Sequence, residues 1–179
     1  KTSAELLARK VSQENEIARE MAGFIASEVD RTNTLITRFL DFARPQHLKL
    51  ETSDITGMLD RAIARFERQQ DAAGTHVTIF KNYSPDVPPV RFDADLMEHV
   101  IANLLLNAAQ ASPPNGVVTV KTVSDENELE IAVIDRGSGI DPKNLESIFN
   151  PFFTTKPEGI GFGLAIVSKM VDEHGGRIT

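Results

Sequence analysis

Val100-Ile-Ala-Asn103-Leu-Leu-Leu-Asn107-Ala-Ala-Gln-Ala111 is the stretch on which this chain turns. Two asparagines four residues apart interrupt an apolar run, and on a helix both amides point the same way. Asn is a mediocre helix former and costly to bury unpaired. The pair is therefore either a satisfied structural pair or a ligand site, in which one side-chain carbonyl ligates Mg²⁺ and the other amide orders water or phosphate oxygens. Asp93 or Asp95 opens this helix, and Pro113-Pro-Asn-Gly116 closes it with turn chemistry. His99 lies one turn earlier on the same face and is read as a bystander.

Outward from that helix, Val117 to Val123 and Leu129 to Ile134 are β-rich and predict a hairpin across Ser124–Glu128. The second strand ends on Asp135. A carboxylate only accepts, so Asp135 at the mouth of a pocket suits the exocyclic amine of adenine. Gly137 and Gly139 would let backbone and base approach without Cβ interference. The plain alternative is an Asp-Arg-Gly turn. Further on, Gly159, Gly161 and Gly163 lead into Leu164-Ala-Ile-Val, a helix start whose free N–H groups and positive dipole end suit a triphosphate. Thr154, Thr155 and Lys156 stand just upstream, with hydroxyl donors and a cation; the plain alternative here is a flexible glycine loop. A dinucleotide fingerprint is excluded because the glycines follow no strand and their third position falls on Ile166. A P-loop is excluded because the chain has no Gly-Lys pair, and Gly137-Ser138-Gly139 lacks the spacing of a nucleophile elbow.

The N-terminal segment obeys a different period. Ala18, Ile25, Thr32 and Phe39 fall seven apart, as do Ala22, Val29, Ile36 and Ala43, making an a/d-type seam. Leu6 and Leu7, ahead of Ser12-Gln-Glu-Asn15, predict the tail of a preceding helix and a turn, hence an antiparallel hairpin. Such a hairpin cannot bury its seam alone, and a four-helix bundle of two copies is the simplest remedy; the alternative is a monomeric extension. Pro45 ends this part. His47–Glu51 and His76–Phe80 are strand candidates, separated by a helix capped by Asp54 and running to Ala73. Pro85, Pro88 and Pro89 mark a loop. A short helix is predicted from Pro142 to Phe149 and another from Gly163 to His174, after which Arg177–Thr179 starts a strand. This mixture predicts an α+β fold with helices on one face of a largely antiparallel sheet.

Composition narrows the function. The 179 residues are 41% apolar and 25% charged, with net charge -7, which argues against a nucleic-acid surface. No apolar run approaches the roughly 20 residues that span a bilayer, so this part contacts no membrane and reads as cytoplasmic. Without cysteine there is no thiolate metal site, and an oxygen site suits Mg²⁺.

Taken in order, Asn103 to Ala111, Asp135 to Ile140, Phe149 to Phe153 and Gly159 to Leu164 resemble the N, G1, F and G2 boxes of the sensor histidine kinases, within the gyrase, Hsp90, histidine kinase and MutL ATPase family. Glu28 to Arg44 resembles the second helix of their dimerisation and phosphotransfer domain. The resemblance implies a truncated hairpin (1–45) that dimerises into a four-helix bundle, and a Bergerat-type α/β sandwich (46–179) that binds ATP and lacks its last strands. It implies Mg²⁺ on Asn107, Asn103 near the phosphates, and Asp135 reading adenine with Ala111 along the base. Gly137, Gly139 and Ile140 would line the pocket. The lid would run from Thr154 to Gly161 with Lys156 on the phosphates, followed by Phe162, Gly163 and Leu164. Ile160 and Phe162 replace the usual Thr and Leu, which leaves backbone N–H donation intact. The parent would move the γ-phosphoryl of ATP to its own histidine, then to an aspartate on a response-regulator receiver domain. None of His47, His76, His99 and His174 has the acceptor's flanking pattern, so the acceptor and any inner-membrane anchor are expected elsewhere in the parent. Two other functions stay open: a non-enzymatic nucleotide-sensing dimer, and an ATP hydrolase using a glutamate of the N-box helix. Glu98, five residues before Asn103, points away from that amide.

Overall fold

The heptad stretch folds as one helix, α1 (Glu16–Ala43), of 28 residues, roughly 42 Å long at the usual helical rise. The computed structural model describes residues 16–43, 47–73, 76–125, 128–156 and 159–179, and the chain divides into two units, Lys1–Pro45 and Gln46–Thr179. Within α1, the hydroxyls of Thr32, Thr34 and Thr37 donate to the carbonyls of Glu28, Asp30 and Asn33. Those polar side chains are thus satisfied on their own helix. The seam residues Ile25, Ile36 and Phe39 face solvent, 58%, 51% and 48% exposed. The expected first arm of the hairpin, with Leu6, Leu7 and the Ser12–Asn15 turn, lies outside the described residues, as does Pro45.

The second unit runs β1 (Glu51–Ser53), α2 (Ile55–Ala73), β2 (Thr78–Asn82), β3 (Val90–Phe92), α3 (Ala94–Ala111), β4 (Val117–Ser124), β5 (Leu129–Ile134), a 3-10 turn (Pro142–Asn144) and α4 (Gly163–Glu173). Asp54 caps α2, its two carboxylate oxygens accepting from the N–H groups of Thr56 and Gly57 at 3.0 and 3.1 Å. β4 is the centre of a three-stranded sheet. Its alternation puts Val118, Val120 and Thr122 on the buried face and leaves Val117 and Val123 exposed. That face meets Met58, Leu59 and Ile63 of α2 with Ile101 and Leu105 of α3 in one core. Each such buried side chain stabilises the fold by about 1.5–3 kcal/mol. α4 packs on α3 through Val100, Val167 and Met170. The layering of helices on one sheet face is the expected α+β arrangement.

Several local expectations are corrected. The strand predicted over His47–Glu51 starts at Glu51 and runs to Ser53, because its partner is β3, with Glu51 opposite Phe92 and Ser53 opposite Val90. β3 itself was hidden behind Pro88 and Pro89; proline is tolerated just ahead of a strand because no ladder N–H is needed there. β2 lies two residues later than predicted and runs parallel to β4, so the larger sheet is mixed, with only β4 and β5 antiparallel. The helix predicted from Pro142 to Phe149 is 3-10 only to Asn144. Beyond it Ser147 and Asn150 donate to residues three back, Asn144 and Ser147, so the chain continues as turns. Arg177–Thr179 forms no strand among the described residues, and Ile178 instead packs against the Val100, Val167 and Met170 cluster.

Candidate functional site

The site is organised by α3. Asp93 caps its start: Oδ1 accepts the Leu96 N–H at 3.1 Å and Oδ2 the Lys49 N–H at 2.9 Å. Burial pushes the Asp93 carboxyl upward, but those backbone donors outweigh it and hold the group below its ordinary value. With α3 fixed at this end, Asn103, Asn107 and Gln110 project along one face at positions i, i+4 and i+7.

The Asn103 amide nitrogen donates to the His99 carbonyl at 2.9 Å. That contact satisfies the donor locally and leaves Oδ1 directed at the start of α4. A Cβ built on Gly163, the first residue of α4, would lie 3.5 Å from Asn103 Oδ1 and 3.6 Å from Asn107 Nδ2. Both amides therefore meet the helix N-terminus. Phe162, its N-cap residue, makes no side-chain cap, so the first N–H groups of α4 are left to other acceptors. A helix start that carries partial positive charge beside two amides is chemically suited to phosphate oxygens.

Lys156 reaches the same place from the glycine loop. Its ammonium donates to Gln110 Oε1 and approaches Asn107 Oδ1 at 3.5 Å. Partial burial pulls the ammonium below the ordinary lysine value. Upstream, Thr154 Oγ1 accepts the Lys156 N–H at 3.1 Å, which folds the loop back toward α3. The loop's exit is closed by aromatic packing: Phe162 is fully buried and meets Phe152 edge-on, centroids 4.8 Å apart. Gly161, at φ +76°, has no room for a side chain, since a Cβ would fall 2.5 Å from the Phe152 carbonyl carbon.

At the other end of α3 the loop after β5 lies against Ala111. A Cβ on Gly137 would sit 2.3 Å from the Ala111 carbonyl oxygen. Asp135 Oδ1 accepts the Gly137 N–H at 2.8 Å, so the Asp-Arg-Gly turn is formed, and Oδ2 makes no hydrogen bond among the described residues. The turn and an adenine-reading role thus use different oxygens of one carboxylate.

Of the residues singled out by sequence, Asn103, Asn107, Lys156 and Gly163 come together, and Asp135 and Gly137, in the loop after β5, form a second group with Ala111 at the end of α3. Gly159 touches Thr154, whose hydroxyl would lie 2.3 Å from an added Cβ. Thr155, Gly139 and Ile140 are exposed, and a Cβ on Gly139 would meet nothing within 4 Å. Leu164 is half-buried behind the site. Pro157 and Glu158 lie outside the described residues. Sequence reading missed Gln110, although its i+7 spacing from Asn103 was a visible signal. It also missed His174, whose Nε2 accepts the Asp93 N–H at 3.0 Å while Nδ1 faces the Met170 carbonyl at 2.7 Å.

Among the described residues no cluster of three His, Asp or Glu side chains is arranged to hold a metal. A divalent cation held here would need further oxygens from a bound ligand, and Asn107 Oδ1 is the side-chain oxygen placed to join them. The donor chemistry fits, because that oxygen already faces a cation, the Lys156 ammonium.

The family of histidine kinase-, DNA gyrase B-, and HSP90-like ATPases matches residues 92–179. The chain is similar to the sensor histidine kinase ZraS of Escherichia coli O157:H7, 35% identical over 161 residues that cover 90% of this chain and 35% of ZraS. It thus spans well under half the length of that relative. It is also similar to the solved structure of the mycobacterial sensor histidine kinase MprB, 32% identical with a TM-score of 0.61, covering 70% of this chain and 80% of that one. Histidine kinase ThkA, solved in complex with the response regulator protein TrrA, shares the fold over 96% of this chain and 49% of its own, with a TM-score of 0.73 at 21% identity.

Proposed function

This chain belongs to the sensor histidine kinases and carries the ATP-binding kinase core of a two-component sensor, and on that premise we propose that it binds magnesium ATP between α3 and the start of α4 and serves a parent that phosphorylates its own histidine. The observation that carries this reading is the meeting of the Asn103 and Asn107 amides at Gly163 with the Lys156 ammonium beside them.

In this reading Asn107 Oδ1 holds the metal, which when bound supplies the charge that neutralises the oxygens of the transferring phosphoryl group. Asn103 and the first N–H groups of α4 orient the phosphates, and Lys156 moves from Asn107 onto them. Asp135 Oδ2 accepts from the adenine amine, with Gly137 and Ala111 along the base. The protein's share of catalysis is positioning and preorganised donors rather than covalent chemistry. The γ-phosphoryl then passes to a histidine of the parent and on to a response-regulator aspartate; the ThkA and TrrA complex is a precedent for that partner in a chain of the same fold. None of this chain's four histidines lies on α1, the helix that resembles the phosphotransfer region, and we assign the acceptor to none of them. Residues 1–45 act as the dimerising helical part and 46–179 as the nucleotide-binding domain.

Hydrolysis of ATP by a glutamate base is disfavoured by Glu98, whose carboxylate is bonded to Arg61 of α2 at 3.0 Å. No described helix is long and apolar enough to cross a membrane.

The test is a titration of the full chain with a fluorescent ATP analogue, with and without Mg²⁺. Asn107→Ala is expected to remove most of the gain that magnesium gives. Asp135→Asn is expected to weaken binding about tenfold under both conditions, the usual worth of a hydrogen bond to a charged group. Affinities equal to the parent in both variants would refute the assigned roles.

A further inference from the structure

Gln110 occupies the third step of an amide ladder on α3, after Asn103 and Asn107, and its side chain is spent on Lys156 rather than on the helix. The residue is exposed and lies outside the buried core clusters of this unit. An ammonium only donates, so the Gln110 and Asn107 side-chain oxygens both face it. We infer that Gln110 is a positioning residue for the nucleotide site, one that holds the Lys156 ammonium beside Asn107 so that the cation is in reach of phosphate oxygens before the ligand arrives.

Lys156 sits on an exposed loop, and a free lysine side chain loses rotamer freedom when it is ordered. The bond to Gln110 orders the side chain in advance, and the Thr154 hydroxyl fixes the adjoining backbone. Binding then requires a short transfer of the ammonium from Asn107 Oδ1 to phosphate instead of a search by a loose side chain, with Gln110 Oε1 accepting one of the three ammonium protons throughout. Preorganisation of this kind strengthens binding without adding a contact to the ligand. The inference rests on the nucleotide reading of the site and deepens it.

The test is a double-mutant cycle on the full chain, with magnesium and the fluorescent ATP analogue as probe. Gln110→Met keeps length and helix propensity and removes the acceptor. In the parent background this variant is expected to weaken binding about three- to tenfold, a part of the rotamer freedom that a lysine loses when it is ordered. In a Lys156→Met background it is expected to change nothing, because the residue acts through the lysine. The urea midpoint of Gln110→Met is expected to match the parent. Equal losses in both backgrounds, or no loss in either, overturn the inference. Asn107→Ala and Asp135→Asn run alongside it: where they weaken binding and the cycle is additive, only the role of Gln110 fails, and where they leave binding intact the nucleotide reading fails and takes this role with it.

Discussion

The backbone N–H of Asp93 donates to His174 Nε2 at 3.0 Å, joining the cap of α3 to the last turn of α4 across 81 residues of sequence. Because Nε2 accepts, the ring proton is on Nδ1, which donates to the Met170 carbonyl at 2.7 Å. One imidazole therefore fixes the ends of the two helices whose other contacts, Asn103 and Asn107 at Gly163, make the proposed phosphate end of the site. Replacing it by His174→Ala leaves a buried N–H without its acceptor. A loss of about 1–3 kcal/mol is expected, read as a lower urea midpoint with unchanged slope. Nucleotide affinity is expected to fall with it, since α4, whose start meets Asn103 and Asn107, loses the brace at its far end.

Asp93 gives a pH-dependent counterpart. The residue is 7% exposed; burial raises its carboxyl pKa, but the Lys49 and Leu96 N–H groups bring it below the ordinary 3.8. A carboxyl with a depressed folded value contributes stability above the unfolded pKa and loses it as pH falls through the folded one. Asp93→Asn replaces one of two accepting oxygens by a donor, so it is expected to be less stable than the parent near pH 7 by about 1–3 kcal/mol, the cost of a buried N–H left without its acceptor. The gap should narrow only below pH 3.8. Urea unfolding of both proteins from pH 7 to pH 3 measures it, and a gap that stays constant across that range removes the carboxylate from the explanation.

How much of this was written in the sequence depends on the range of each interaction. Asn103 and Asn107 were legible because helical spacing alone aligns them, and the Asp54 cap because a cap is local; for α3 the sequence left Asp93 and Asp95 both open, and the structure uses Asp93. The hairpin of β4 and β5 was legible for the same reason. The parallel pairing of β2 with β4 was not, since strand direction depends on a crossover through β3 and α3 that no local pattern encodes. β3 was masked by prolines whose effect is to end the preceding loop rather than to forbid the strand. The reach of Lys156 to Gln110 spans 46 residues, and nothing in either segment announces it.

Gly137 tests how tightly the proposed adenine end is built. An added Cβ would fall 2.3 Å from the Ala111 carbonyl oxygen and 2.6 Å from its carbon, and both are backbone atoms that cannot rotate away. Gly137→Ala is expected to cost about 1–3 kcal/mol, the range for overpacking, and to lower nucleotide affinity severalfold by lifting the Asp135 loop off α3. Gly139→Ala is the control. Its Cβ would meet nothing within 4 Å, and its cost, about 1–2 kcal/mol, comes only from φ +71°. Thermal unfolding together with nucleotide titration separates the two, because only Gly137→Ala should change affinity beyond what its stability loss explains.

The helix α1 carries the last prediction. Met21, Ile25, Ile36 and Phe39 expose between 48% and 60% of their surface, in a helix whose threonines are already satisfied by its own carbonyls. An apolar stripe repeating on a heptad is stable in water only when another helix covers it, and a second copy of the chain supplies an identical stripe. The chain is therefore expected to sediment as a dimer. Ile36→Lys introduces a charge that a closed seam cannot solvate, and it should shift the equilibrium to monomer while the nucleotide affinity of the Gln46–Thr179 unit stays at the parent value. A parent chain that sediments as a monomer at tens of micromolar would show that the stripe is covered in some other way. Loss of nucleotide binding along with the dimer would show that the two units are coupled in the unliganded protein.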